Sequence, residues 1–184
     1  MNTLYSVGHG NRGIEALIAL LRDAAIDNLI DVRAYPSSRR HPQFTRMALE
    51  PALRVAGIRY QWEGAALGGM RSPRADSPHR ALTDPVMRGY ADHMASAEFA
   101  AGIARLVQAA ATQRAAILCA ERDYRHCHRA FIADALMLAG VEVLHLVDAG
   151  DTRRHAMSDA ARVEQGRLVY DAGIQLDFGL FPPG

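Results

Sequence analysis

Short apolar runs alternate with amphipathic segments along most of the chain, and this alternation constrains the fold more than any other feature. The five runs that we predict to be strands are 4–7, 29–33, 58–62, 115–120 and 141–147. Helices are predicted between them, beginning with an apolar stripe that recurs at helical spacing: Ile14, Leu17, Ile18 and Leu21. Strands that alternate with helices favour a parallel sheet covered on both faces. We therefore predict a three-layer α/β/α fold with a mostly parallel, Rossmann-like sheet of about five strands.

The length of the chain and its even pattern favour a single domain. A chain of 184 residues can bury one continuous core. The regular pattern covers about residues 3–148, and the segment 149–184 is less regular, with one short strand expected at 167–170. We predict one domain over residues 1–184.

Composition narrows the setting in which the protein works. The net charge is +1, so the overall charge of the chain does not indicate binding to nucleic acid or to a membrane. The N-terminal residues lack the pattern of a signal peptide, and no run approaches the ~20 apolar residues of a membrane span. Two cysteines in such a chain are expected to be reduced thiols. We expect a cytoplasmic protein with no membrane partner.

Three helix starts can be predicted from local signals. Asp84 and Pro85 form a cap and first-turn proline that begin a helix. Pro51 is placed in the first turn of a helix that closes at Gly57. A third helix is predicted to begin at 126, which places Cys127 in its first turn.

Polar residues follow the predicted strands at the edge where open α/β sheets bind ligands. His9 follows the first strand, Asp31 and Arg33 end the second, and Cys119 and Glu121 end the fourth. The sequence therefore predicts a site at this edge.

Cysteine and histidine supply the reactive groups of the predicted site. Cys127, near a helix start and beside His128 and Arg129, is favoured as a thiolate. Cys127 or Cys119 is the candidate nucleophile, and His9 or His128 is the candidate proton carrier. Simple burial as a small core residue is the alternative for both cysteines. Glu121 is expected to orient a histidine or to act as a general acid or base.

Arginine and glycine residues supply the candidate contacts to substrate. Arg33, Arg39 and Arg129 are candidate anion binders, since guanidinium groups hold planar anions in a bidentate manner. An ion pair between Asp31 and Arg33 that only fixes the loop is the alternative. Gly68 and Gly69 would let backbone approach a ligand, or simply form a turn.

No cofactor is predicted, although a zinc set is chemically acceptable. Its four donors would be Cys119, Cys127, His128 and His9. Their spacing matches no familiar zinc pattern. Cys119 and Arg125 fit the Cys-x5-Arg spacing of a phosphate-cradling loop, but Glu121 and Asp123 would repel a phosphate.

Several strings together resemble a known family, the domain-of-unknown-function family 488 (DUF488). The strings that match along nearly the whole chain are 7–10, 31–33, 36–39, 57–60, 67–69, 89–91, 119–121, 127–129, 132–134 and 166–170. The resemblance implies an α/β domain with a site but no known reaction. The positions that it carries onto this chain are His9, Asp31, Arg33, Ser38, Arg39, Gly68, Gly69, Cys119, Glu121, Cys127, His128 and Arg129. The order of strands and the cysteine after the fourth are also similar to a rhodanese domain.

Four functions follow as expectations. The leading one is an enzyme that acts on a small anionic or nucleotide-like substrate through this Cys/His/Glu/Arg site. A non-catalytic module for nucleotides or nucleic acid is the main alternative. Rhodanese-like sulfur transfer and a zinc site are the others.

Overall fold

A six-stranded sheet forms the centre of the protein. The computed structural model describes residues 2–173, and the last part of the segment 149–184 that was predicted to be less regular, residues 174–184, lies outside these residues. The strands are β1 (Thr3–Gly8), β2 (Asn28–Asp31), β3 (Arg59–Trp62), β4 (Ala115–Cys119), β5 (Glu142–Asp148) and β6 (Asp151–Arg154). Their order is β3-β2-β4-β1-β5-β6, in which the first five are parallel and β6 runs antiparallel to β5. The predicted mostly parallel sheet is confirmed.

Helices cover both faces of the sheet. They are α1 (Ile14–Asp23), α2 (Arg46–Val55), α3 (Gly64–Leu67), α4 (Pro85–His93), α5 (Ala97–Thr112) and α6 (Arg129–Leu138), with 3-10 turns at Pro42–Phe44 and Tyr124–His126. Alternate side chains of β4 pack on opposite faces of the sheet. Ile117 and Cys119 pack with α3 to α6, whereas Ala116 and Leu118 pack with α1 and α2. The three-layer α/β/α arrangement is confirmed. Within residues 2–173 no helix combines the length and apolarity needed to cross a bilayer.

The helix start at Asp84 is confirmed, and the start near Pro51 is wrong. The side chain of Asp84 accepts a hydrogen bond from the amide of Val86 and caps α4. Helix α2 instead begins at Arg46 and carries Pro51 in its interior. Pro51 is exposed, as is Met47 one turn earlier. Water can therefore bind the carbonyl that a proline leaves unpaired, which lowers the cost of this position.

The predicted helical position of Cys127 is also wrong, because a short turn intervenes. Asp123 accepts a hydrogen bond from the amide of Arg125 and caps the 3-10 turn Tyr124–His126. Cys127 then adopts an extended conformation (φ −138°, ψ 146°), and α6 begins at Arg129. Cys127 lies just before the amino end of α6 instead of within it.

The C-terminal hairpin is tied to the core by a buried polar chain. Strands β7 (Ala161–Glu164) and β8 (Arg167–Tyr170) pair with each other. The hydroxyl of Tyr170 donates to Asp134 at 3.0 Å, and Asp134 also contacts Nε2 of His155 at 2.9 Å. Nδ1 of His155 lies 3.0 Å from Nε2 of His145 on β5.

Candidate functional site

Three neighbouring parallel strands end at one edge of the sheet and bring their following residues together. Gly8 of β1 pairs in register with Cys119 of β4, and Asp31 of β2 pairs with Leu118. The amide of His9 then donates to the carbonyl of Cys119 at 3.0 Å. The polar residues expected after these strands therefore lie at one edge.

The two cysteines and one histidine form the chemical centre of this edge. Both thiols are free and buried, and their Sγ atoms lie 3.0 Å apart. Nδ1 of His128 lies 3.7 Å from each sulfur. Two thiols are thus placed against each other and against one ring nitrogen.

The surroundings of His128 fix the orientation of its ring. Nε2 lies 3.1 Å from the carbonyl oxygen of Val32, which can only accept, so Nε2 carries the proton in the neutral ring. Nδ1 therefore presents a lone pair to the sulfurs. The ring of Tyr90 packs 5.0 Å from that of His128. A Cβ on Gly69 would lie only 3.1 Å from Nδ1, so glycine leaves this nitrogen uncrowded.

The two thiols differ in acidity. The hydrogen bond between the sulfurs lowers the pKa of Cys127 well below its usual value, against the opposing effect of burial, and His128 lowers it further when its ring is protonated, because Nδ1 then donates to the sulfur. The same sulfur–sulfur bond, together with burial, raises the pKa of Cys119. Cys127 is therefore the more acidic thiol of the pair, and as a thiolate it would accept a hydrogen bond from Cys119.

Arg129 is a buried cation behind the thiols, and it fixes the adjoining loop. It is 1% exposed. Its Nη1 donates to Oγ of Ser6 at 3.0 Å, and its Nη2 donates to the carbonyl of Glu121 at 2.5 Å. Its Nε has no partner among the described residues. Since its acceptors are neutral, its charge lowers the pKa of both cysteines.

Arg33 is committed to a buried ion pair. Its Nε and Nη2 donate to the two carboxylate oxygens of Asp31 at 2.9 and 2.6 Å. Its Nη1 donates to the carbonyl of Phe44 at 2.8 Å. Tyr60 donates a further hydrogen bond to Asp31 at 2.7 Å. The pair fixes the start of the loop after β2, while Arg33 still reaches the wall of the cavity described below.

His9 lies behind Arg33, apart from the sulfur pair. Its ring stacks on Phe44 at 4.3 Å, its Nδ1 donates to the carbonyl of Gly10, and its Nε2 lies 3.3 Å from Nη1 of Arg33. Burial lowers the pKa of His9 to about 4. His9 is therefore a neutral ring that supports Arg33.

A cavity of about 450 Å³ opens above the sulfurs. The residues that line it are Arg33 to Tyr35, Ser37, Gly69, Met70, Val86, Met87, Tyr90, Cys119 to Glu121 and His126 to His128. Glu121 lines it from an exposed position. A larger groove of about 640 Å³ lies between α5 and β8, and neither a cysteine nor a carboxylate is among the described residues that line it.

Several expected site residues do not line this cavity. Oγ of Ser38 accepts a hydrogen bond from the amide of His41 and shapes the loop, and Arg39 is exposed. A Cβ at Gly68 would lie only 2.3 Å from the carbonyl oxygen of Gly64, so glycine at this position permits close backbone packing. Arg125 is exposed and paired with Asp123, away from the cavity, so no phosphate-cradling loop forms.

Sequence reasoning missed the apolar wall of the cavity. Tyr35, Met70, Val86, Met87 and Tyr90 line it, and among them Val86 and Tyr90 are four residues apart, the spacing of one helical face. The long polar segment between α3 and α4 was the available indication that this region contributes to a site.

Three of the four expected zinc donors converge. Sγ of Cys119, Sγ of Cys127 and Nδ1 of His128 all lie within 4.8 Å of one another, whereas His9 is not part of the group found among residues 2–173. Two thiolates bound to one tetrahedral zinc at 2.3 Å would lie about 3.8 Å apart. The observed sulfur separation of 3.0 Å is shorter, so the donors fit zinc only after the sulfurs move apart.

Fold and site together define an α/β protein with a thiol–histidine cavity at the carboxyl edge of its sheet. The family model described as "Domain of unknown function DUF488" matches residues 13–136, and the chain belongs to this family. No curated protein and no solved structure shows significant similarity to the chain.

Proposed function

We propose that the protein is an enzyme that acts on a small anionic or nucleotide-like substrate, with Cys127 as its nucleophile. The observation that supports this most directly is the sulfur of Cys127, which lies 3.0 Å from that of Cys119 and 3.7 Å from Nδ1 of His128 at the wall of a cavity. A nucleophile beside a base that is oriented by a third group, here the carbonyl of Val32, is the usual arrangement for covalent catalysis.

Each residue of the cluster has a distinct role in this proposal. Cys127 attacks the substrate, and Cys119 stabilises the thiolate through the hydrogen bond between the sulfurs. His128 accepts and returns a proton at Nδ1. Glu121 lines the same cavity and is placed to protonate a leaving group or to deprotonate water.

Positive charge beside the cavity supports an anionic substrate, although the carboxylate of Glu121 also lines the wall. Arg71 donates to the carbonyls of Ala65 and Gly68 at 2.9 and 3.3 Å, and within residues 2–173 it forms no ion pair. Gly68 directly precedes Gly69 on the cavity wall. Arg39 is exposed on the loop that supplies Tyr35. A cavity of 450 Å³ is in the usual size range for small ligands. Two reduced thiols suit the cytoplasm, where we propose that the protein acts.

Alkylation by iodoacetamide tests the nucleophile. Cys119→Ser leaves Cys127 as the only thiol and keeps a hydroxyl donor beside it, whereas Cys127→Ser leaves only Cys119. We expect fast alkylation of the first variant with a pH midpoint well below the ~8.5 of a free cysteine, and slow alkylation of the second. Equal and ordinary rates in both folded variants would contradict the proposal. Salt-dependent binding of nucleotides or nucleic acid that survives Cys127→Ser would favour a non-catalytic module.

A zinc site is the second candidate, and the convergence of three S/N donors supports it. Such a site would bind zinc through Cys119, Cys127 and His128, with a fourth position open to the cavity. Elemental analysis of protein purified without a tag measures zinc per chain directly. One equivalent in wild type and none in Cys127→Ser supports this candidate, and metal-free folded protein rejects it.

A further inference from the structure

The position of the second thiol narrows the reaction. Cys119 ends β4, and Cys127 lies eight residues later, yet the intervening loop returns so that the sulfurs lie 3.0 Å apart. A disulfide bond requires about 2.05 Å. The two sulfurs are thus within about 1 Å of bonding distance.

The loop between the cysteines is held in place by groups that do not react. Arg129 binds the carbonyl of Glu121, and the carbonyl of Tyr124 accepts from the amide of Cys127 at 3.2 Å. A Cβ on Gly8 would lie 1.8 Å from the carbonyl oxygen of Glu121, so the loop packs directly on β1. The approach of the sulfurs is therefore a constrained feature of the fold.

A second thiol at this distance has a covalent role in sulfur chemistry alone. Acyl or phosphoryl transfer needs one nucleophile and a set of donors for the developing negative charge. Exchange of a disulfide needs an attacking thiolate and a second thiol that resolves the mixed disulfide. The chain offers that pair, with Cys127 beside His128 and Cys119 behind it.

We propose that the site carries out thiol–disulfide exchange on a small, negatively charged disulfide, with Cys127 attacking and Cys119 resolving. This inference rests on the proposed function and names the substrate class of the same site. Arg71, which binds the carbonyl of Gly68 beside the cavity wall, supplies the positive charge that favours an anionic disulfide over a neutral one.

The reaction balances in two steps. The Cys127 thiolate attacks one sulfur of the substrate, the substrate S–S bond breaks, and one thiolate leaves while a mixed disulfide forms on Cys127. Cys119 then passes its proton to Nδ1 of His128 and attacks the sulfur of Cys127. The second substrate thiolate leaves and takes up that proton. The substrate is reduced to one thiolate and one thiol, the cysteine pair is oxidised to one disulfide, and a dithiol reductant returns the pair to its starting state.

The probe for this proposal is 5,5′-dithiobis(2-nitrobenzoate), a small disulfide with two carboxylates whose released thiolate absorbs visible light. Wild-type protein should release two thiolates per chain and finish as an intramolecular disulfide, which mass spectrometry reads as the loss of two hydrogens and no adduct. Cys119→Ser should release one and retain one adduct on Cys127. Cys119→Ala repeats the measurement if the serine variant fails to fold.

Charge preference is tested with a neutral disulfide of similar reactivity, 4,4′-dithiodipyridine. Arg71→Gln should slow the first step with the dianionic probe several-fold and leave the neutral probe unchanged. Equal slowing of both probes would contradict the charge argument.

The outcomes separate this inference from the proposed function. If wild type keeps a stable adduct on Cys127, as Cys119→Ser does, resolution by Cys119 is refuted while the nucleophile stands. If Cys127 shows ordinary reactivity toward both iodoacetamide and the probe, both proposals fail. The mass of the wild-type protein after reaction with the probe shows, without any substitution, whether Cys119 resolves the mixed disulfide.

Discussion

His145 should make the protein strongly sensitive to acid. Burial, followed by the nearby His155 and Arg129, lowers the pKa of His145 to about 3, while Asp123 acts in the opposite direction. Its Nε2 donates to Nδ1 of His155, since Nε2 of His155 carries the proton that Asp134 accepts. Its Nδ1 has no partner among the described residues, so a proton placed there would be buried without an acceptor.

The size and sign of the effect follow from the two states. In the unfolded chain a histidine takes up a proton near pH 6.5, whereas His145 in the folded chain stays neutral down to about 3. Between these values each drop of one pH unit costs about 1.4 kcal/mol of folding free energy. From pH 6.5 to 4.5 the loss is about 2.3 kcal/mol, because the unfolded histidine is already half protonated at pH 6.5, and this is large against a typical total of ~5–15 kcal/mol. Stability is retained above pH 6.5 and lost as the pH falls below it.

Urea denaturation at several pH values between 7 and 4.5 measures this loss. His145→Gln removes the titrating ring but keeps an amide donor for His155, so the pH dependence of its unfolding free energy should be flatter by about 1.4 kcal/mol per pH unit. His126→Gln is the matched control, because the side chain of His126 is 79% exposed and should contribute little. Parallel curves for wild type and His145→Gln would refute the reasoning, whatever the stability at pH 7.

Two further substitutions test the packing and the charge behind the site. Gly8→Ala places a Cβ 1.8 Å from the carbonyl oxygen of Glu121 and should lower the free energy of unfolding, measured by urea denaturation, by about 3 kcal/mol. In the control Gly13→Ala the new Cβ meets only the end of a flexible side chain at 3.3 Å, so the change should stay within about 0.5 kcal/mol. Equal losses in the two variants would show that the loop at Glu121 moves away without cost. Arg129→Met removes the buried cation and should raise the pH midpoint of thiol alkylation, while the exposed cation of Arg125 can be replaced by Met without a shift. An unchanged midpoint in a folded Arg129→Met variant would remove the electrostatic argument.

The sheet and its helices could be predicted because their patterns are local. Ala116 and Leu118 face one layer while Ile117 faces the other, which makes β4 a continuous apolar run, as expected for a strand buried on both sides. Asp84 caps its helix with its own side chain, so the start of α4 is visible within a few residues. Such patterns need no knowledge of distant contacts.

The errors arose where several local signals compete. Pro51 suits a first helical turn, but an exposed interior position costs it little. Cys127 was expected within a helix because nothing in the string shows that Asp123 would cap a separate 3-10 turn first. Both errors shift a boundary by a few residues and leave the order of elements unchanged.

The relative placement of the site residues was only partly accessible from the sequence. Strand ends placed Cys119, Arg33 and His9 at one edge, but the separation of His9 from the sulfurs depends on its stacking with Phe44, thirty-five positions away. The buried contact between His145 and His155 is likewise a tertiary one. Side-chain contacts of this kind depend on packing that periodicity does not encode.

The position of β1 in the middle of the sheet has a consequence for how the protein folds. Tyr5 of β1 lies between Ala116 of β4 and Leu144 of β5, so the central strand finds both partners more than about a hundred residues later. During synthesis the first strand must wait until most of the chain has left the ribosome. Pairings this distant in sequence favour slow folding. Cys119 belongs to one of those late partners, so its thiol stays open to oxidants until the sheet closes around it.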